Sequence, residues 1–135
     1  MIEHVSVITL IVHDQYEALR FYTEKLGLEK RMDIPYGEHG RWITIAPRGD
    51  QSLQIVLQGI DWFEGEERAR KEAQVGQNPT LVFAVDNCQQ TYEELLGRGL
   101  EFTQPPTNSG WGIQATTKDL YGNTLVLAEY PKHQQ

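Results

Sequence analysis

An α+β fold built from two tandem βαβββ units is what this 135-residue chain predicts, and three observations carry that expectation. A strand-like run followed by a helical pattern occurs twice, as Val5–Val12 before His13-Asp14 and as Thr80–Val85 before Asp86-Asn87. Each helical pattern closes on a similar segment, Leu26-Gly27-Leu28-Glu29 in the first half and Arg98-Gly99-Leu100-Glu101 in the second. One fixed offset joins the halves: Gly27 and Gly99 stand 72 positions apart, and so do Leu53 and Leu125. Self-similarity at a constant spacing marks a duplicated structural unit.

The first strand, Val5–Val12, is rich in β-branched residues. The helix that follows is expected over roughly Gln15–Lys25, with Asp14 as N-cap and Ala18, Phe21, Tyr22 and Leu26 at helical spacing. Gly27 stops it, because glycine enters the left-handed region without a Cβ penalty. Three short strands then read as about Glu29–Asp33, Arg41–Ala46 and Leu53–Leu57, separated by turns at Pro35-Tyr36-Gly37 and Pro47-Arg48-Gly49-Asp50. The segment Gly59–Pro79 joins the units. Its mixed-charge stretch from Glu64 to Ala73 reads as a short surface helix, which Trp62 and Phe63 either anchor to the body or use to cover a cavity. In the second unit the strand Thr80–Val85 precedes a helix capped by Asp86 or Asn87, with Tyr92, Leu95 and Leu96 as its apolar stripe and Gly99 as its stop. The closing strands are about Glu101–Gln104, Gly112–Thr117 and Thr124–Ala128, with turns at Pro105-Pro106 and Tyr121-Gly122-Asn123. The chain thus reads as one domain, with module 1 at about 1–58, a connecting segment at about 59–78 and module 2 at about 79–131.

Hydrophobic residues at 39% and charged residues at 23% are ordinary globular usage, which speaks against disorder. The net charge of −7 repels phosphate backbones, so nucleic acid is excluded as an expected partner. Cys88 is the single cysteine, so no intrachain disulfide and no multi-cysteine metal site can form. Met1-Ile2-Glu3-His4 opens without the basic region and apolar stretch of a secretory signal, and no apolar run approaches the roughly 18 residues of a membrane span. A soluble, cytoplasmic domain with no membrane partner is expected.

Side chains alternate faces along a strand, so parity sorts each strand into two sets. Ile8, Leu10, Val12, Leu53, Ile55, Leu57, Leu81, Phe83, Leu125 and Leu127 make one set, large and apolar, suited to packing against the two helices. The opposite set holds Val7, Thr9, Ile11, Gln54, Val56, Thr80, Val82, Ala84, Thr124, Val126 and Ala128, which are smaller and mixed. A solvated face would carry more Lys and Glu, whereas small, weakly polar residues suit a curved sheet enclosing a ligand cavity. A modestly packed second core face or a dimer contact is the alternative.

The ordered pattern Val12-His13-Asp14, Phe21-Tyr22, Lys25-Leu26-Gly27-Leu28 resembles the opening of vicinal-oxygen-chelate proteins of the glyoxalase/bleomycin resistance protein/dioxygenase type. Asp119-Leu120-Tyr121-Gly122-Asn123 before a last strand resembles their closing Asp-Pro-x-Gly-Asn segment, with Leu120 in place of the proline, and Val85-Asp86 fits as well. The resemblance covers nearly the whole chain. It implies a cup-shaped mixed sheet with helices on the convex face, commonly in a homodimer, and a choice among lyases, epimerases, dioxygenases, transferases and antibiotic-sequestering proteins. Fold alone does not select among these.

In metal-dependent members, four strands each contribute a His or a Glu/Gln to the concave face. The resemblance places those positions at Val7, Gln54, Thr80 and Val126. Only Gln54 could meet a cation, and one neutral amide is a poor ligand where about three protein ligands are needed. His4 and Glu129 have the wrong parity, while His13, His39 and His133 lie at a strand end, in a glycine-rich loop and in the C-terminal tail. No metal or other cofactor is therefore expected, and a divalent ion would need divergent ligands. Val7, Thr9, Trp42, Thr44, Gln54, Thr80, Trp111, Gln114 and Val126 are the expected ligand contacts, for a flat aromatic or cationic small molecule. A metal-independent binding protein resembling the bleomycin-resistance branch is the first expectation. A glyoxalase-I-like lyase or isomerase, or a dioxygenase, with divergent ligands is the second, and a structural or regulatory dimer module without ligand is the third. Glu38-His39 could serve such an enzyme as an acid/base pair. Cys88, at a helix start, could have a lowered thiol pKa, although an ordinary semi-buried thiol is favoured.

Overall fold

The order of elements repeats as the spacing predicts. A computed structural model of the chain describes residues 1–38 and 40–132. Strands β1 (Val7–Val12), β2 (Glu29–Tyr36), β3 (Gly40–Ala46) and β4 (Gln54–Gly59) form one four-stranded sheet in the order β1-β4-β3-β2. Strands β5 (Leu81–Ala84), β6 (Phe102–Asn108), β7 (Ile113–Lys118) and β8 (Thr124–Glu129) form a second in the order β5-β8-β7-β6. In both, the first strand runs parallel to the fourth and the other pairs are antiparallel. The chain divides into two compact units, Met1–Asn78 and a second beginning at Pro79.

Helix α1 (Gln15–Arg20) starts where Asp14 accepts from the backbone N–H groups of Tyr16 and Glu17, then passes into a π-helical turn over Phe21–Lys25. Its inner face, Ala18 and Tyr22, is fully buried with Leu10, Val12, Ile43, Ile45 and Leu57. Gln15 joins helix to sheet: its Nε2 donates to the carbonyls of Arg41 at 2.8 Å and Leu57 at 2.7 Å. On the exposed side of the same contact, Asp33 accepts from Arg41 Nε at 2.8 Å and from the Tyr16 hydroxyl at 3.1 Å. The hydrogen bond that Arg41 donates to the Asp33 carboxylate is the main reason its guanidinium is held above its ordinary pKa. Helix α3 (Cys88–Gly97) repeats the plan in the second unit, with Asn87 as the cap and Cys88 and Leu95 buried along with Ala115, Leu125 and Leu127. After β4 the first unit continues through a 3₁₀ turn at Ile60–Trp62 and helix α2 (Gly65–Gln74).

Two strands outrun the sequence expectation. β2 continues through Pro35 and Tyr36, and β6 through Pro105 and Pro106, where turns were expected. Both are edge strands. A proline there removes an N–H that no neighbour requires, and the register of β6 shifts between Gln104 and Thr107 to absorb it. Conversely β1 and β5 begin at Val7 and Leu81, later than the apolar runs suggest. The turn before β8 is held by Asp119, whose carboxylate accepts from the N–H groups of Tyr121 and Asn123 and from the Asn123 amide, with Gly122 at φ +92°. No helix among the described residues is long and apolar enough to cross a membrane.

Candidate functional site

In each unit the face away from its helix carries most of the expected ligand contacts. In the first, register fixes the grouping: Val7 lies opposite Gln54, Thr9 opposite Val56, Val56 opposite Thr44, and Thr44 opposite Met32. Trp42 lies opposite Ile34, so it shares this face. Val7, Thr9, Trp42, Thr44 and Gln54 are thereby gathered on one surface. The Thr44 hydroxyl donates to Gln54 Oε1 at 2.5 Å, so that amide oxygen is already engaged.

In the second unit, Val126 lies opposite Val82 on one side and Thr116 on the other, and Gln114 lies opposite Ala128. Gln104 opposes Thr116, and its Oε1 accepts from Thr116 Oγ1 at 3.1 Å and Gln114 Nε2 at 3.2 Å. Thr80 precedes β5 by one residue, and the strand neighbour of Val126 is Val82, not Thr80. The two-residue difference keeps parity, so the chemistry of the face is unchanged. Trp111 is not brought to this group. It sits in the bend before β7, and its ring packs on Tyr130 at 5.3 Å between centroids.

The face of the first unit also differs from the expectation of small, weakly polar residues. Because β2 runs on to Tyr36, it adds Met32, Ile34 and Tyr36, which are 37%, 46% and 52% exposed. Exposed apolar residues aligned on one strand are unusual for a surface with no partner. The alternation Met32-Asp33-Ile34-Pro35-Tyr36 was legible as a strand signal, but the prolyl turn reading hid it.

The connecting segment folds back onto the same face. The Trp62 ring stacks on Tyr36 at 4.8 Å and lies 6.4 Å from Trp42, making a three-ring cluster. Trp62 fits because Gly40 has no side chain: a Cβ there would come within 2.9 Å of Trp62 Nε1. The indole N–H is buried and has no acceptor among the described residues. Beside this stack opens a cleft of about 580 Å³ bordered by Tyr36, Trp62, Phe63 and the carboxylates of Glu38, Asp61, Glu64 and Glu67.

The four positions that would hold a metal do not fit one. Val7 and Val126 offer no donor, Thr80 a hydroxyl beyond its strand, and Gln54 an amide oxygen bound to Thr44. Among the described residues no three His, Cys, Asp or Glu side chains are placed so that they could hold a metal ion together. Glu129 faces the helix side, where its carboxylate accepts from the Cys88 backbone N–H at 2.8 Å. Cys88 is no activated thiol: burial first, then the charge of Glu129, pushes its pKa up, against the lowering that a helix start could give. His4 lies outside any strand and His13 just beyond β1, while His39, with the Glu38-His39 pair, and His133 fall outside the described residues.

Residues 2–127 match the family model described as Glyoxalase/Bleomycin resistance protein/Dioxygenase superfamily. The chain is 34% identical over 126 residues to the protein YurT of Bacillus subtilis (strain 168), covering 93% of this chain and 98% of that one. Among solved structures, UcmS2 superposes with a TM-score of 0.83 at 33% identity, over 95% of this chain and 98% of the other. TnmS3, an antibiotic binding protein from Streptomyces sp. CB03234, superposes with a TM-score of 0.81 at 32% identity, over 96% of this chain and 98% of the other.

Proposed function

From the premise that the chain belongs to the glyoxalase/bleomycin resistance protein/dioxygenase superfamily, we propose that it is a metal-independent protein that binds a small, flat, partly polar molecule. The observation that carries this reading is the face opposite the helices. In the first unit it presents exposed aromatic and apolar side chains together with hydroxyls and amides, and among the described residues no group of His, Cys, Asp or Glu there could hold a metal ion. In the first unit Val7, Thr9, Trp42 and Gln54 are the proposed contacts, with the fully buried Thr44 orienting Gln54. The face of the second unit, taken by itself, offers Thr80, Gln114 and Val126, with Val82 joining Val126. Apolar rings contribute area, and Thr and Gln fix orientation by hydrogen bonds. The likeness to TnmS3 supports an antibiotic as the kind of molecule bound.

A thermal melt of EDTA-stripped protein tests the reading. A flat aromatic antibiotic, at about a thousand times its dissociation constant, adds about 4 kcal/mol of stability, which raises Tm by about 10 °C in a chain of this size. Zn²⁺, Ni²⁺, Mn²⁺ or Fe²⁺ alone should leave Tm in place. A large shift with one of these ions would overturn the metal-independent reading and direct attention to lyase and dioxygenase assays.

A further inference from the structure

We propose that the cleft beside Tyr36 and Trp62 binds an organic cation, a quaternary ammonium or protonated amine carried on an apolar body. The inference rests on the small-molecule reading above and adds the charge of the ligand and the place where that charge sits. Three independent features of the first unit support it.

The cleft, at about 580 Å³, has the volume of a site for a small organic molecule. Among the described residues the charged groups that border it are all carboxylates, Glu38, Asp61, Glu64 and Glu67. Carboxylates around a cavity concentrate cations and repel anions there. The wall is aromatic, with Tyr36 half exposed over it and Trp62 stacked behind. Aromatic faces attract cations, most strongly those of tryptophan, and an enclosing set of rings is how quaternary ammonium groups are recognised. The chain already uses this chemistry next door, where Lys71 Nζ stands 5.1 Å from the centroid of Phe63.

Benzyltrimethylammonium and its uncharged carbon isostere, neopentylbenzene, separate charge from shape. Tryptophan fluorescence titrations should show the cation binding and the isostere binding at least about fivefold more weakly, with cation affinity falling as salt rises. The double variant Glu64→Gln/Glu67→Gln alters two exposed side chains and should keep the fold. It should weaken the cation by about fivefold, two exposed charge pairs at the ordinary strength of such pairs, and leave the isostere unchanged. Trp62→Leu should weaken the cation by about tenfold. Equal binding of cation and isostere, or cation binding indifferent to both variants, would overturn the proposal. So would no cation binding by the unaltered chain. If the cation fails these tests while a flat antibiotic still stabilises the unaltered chain, the small-molecule reading stands and the cationic cleft alone falls.

Discussion

Replacing Val126 with glutamate places a carboxylate where metal-dependent relatives keep one, and it asks whether the face opposite helix α3 is wet. Val126 is partly exposed, flanked by Val82, which is 53% exposed, and by the Thr116 hydroxyl. Fully burying a valine contributes about 1.5–3 kcal/mol, so a partly exposed one forfeits about 1 kcal/mol. The poorer strand preference of glutamate adds about 0.5 kcal/mol. With water available the new carboxylate needs no protein partner, so the total is about 1.5 kcal/mol, a fall in Tm of about 5 °C. Urea unfolding at neutral pH, repeated toward pH 4, reads both the size of the loss and its origin. On a dry face the unpaired carboxylate would cost several kcal/mol more, and its folded pKa would be raised above the unfolded value near 4.3. The ionisation penalty would then be absent below the unfolded pKa and grow as pH rises toward the folded one. A loss above about 3 kcal/mol at pH 7 that shrinks in acid would refute the open ligand face.

Gln15→Ala leaves the carbonyls of Arg41 and Leu57 without their donor, and urea unfolding should record a loss of about 2–3 kcal/mol, from two hydrogen bonds at the ordinary net value of each. Gly122→Ala meets no neighbouring atom, but its φ of +92° is unfavourable for alanine, so a thermal melt should show about 1–2 kcal/mol lost from backbone conformation alone. Cys88 should resist alkylation by iodoacetamide in the native protein and react promptly in urea, since it is fully buried. Its raised pKa keeps the folded thiol neutral. The resulting contribution to stability is complete below the ordinary thiol pKa and is lost as pH climbs through the higher folded value, so Cys88→Ala should flatten the alkaline limb of a Tm–pH profile.

The duplicated plan was legible because it rests on local chemistry repeated twice: Asp14 and Asn87 cap, Gly27 and Gly99 stop, and apolar residues recur at helical spacing between them. Face assignment also followed from sequence, since parity survives an error of two residues, as between Thr80 and Val82. What failed was punctuation by proline. Pro35 and the Pro105-Pro106 pair look like turns, yet an edge strand tolerates them, and whether a strand is an edge is decided by partners far away in the chain. That error concealed Met32, Ile34 and Tyr36 as members of the candidate face. Trp62 and Phe63 were legible as residues that could cover a cavity, but the stack behind the cleft was not, because Trp62 reaches Tyr36 through the absent side chain of Gly40, a tertiary coincidence with no local signal.

In each sheet the strand made last is inserted between the strand made first and the strand made third. A ribosome therefore releases β1 long before its only neighbour, β4, exists, and the same holds for β5 and β8. The hairpin of β2 and β3 can form as soon as it emerges, whereas closing the parallel pair requires a loop spanning the whole unit. Closure of such distant pairs is slow, so β1 and β5 should be the last segments in their units to gain protection from solvent exchange during folding. Over that interval each is an unpaired apolar strand, the state in which chains of this design are most exposed to pairing with one another.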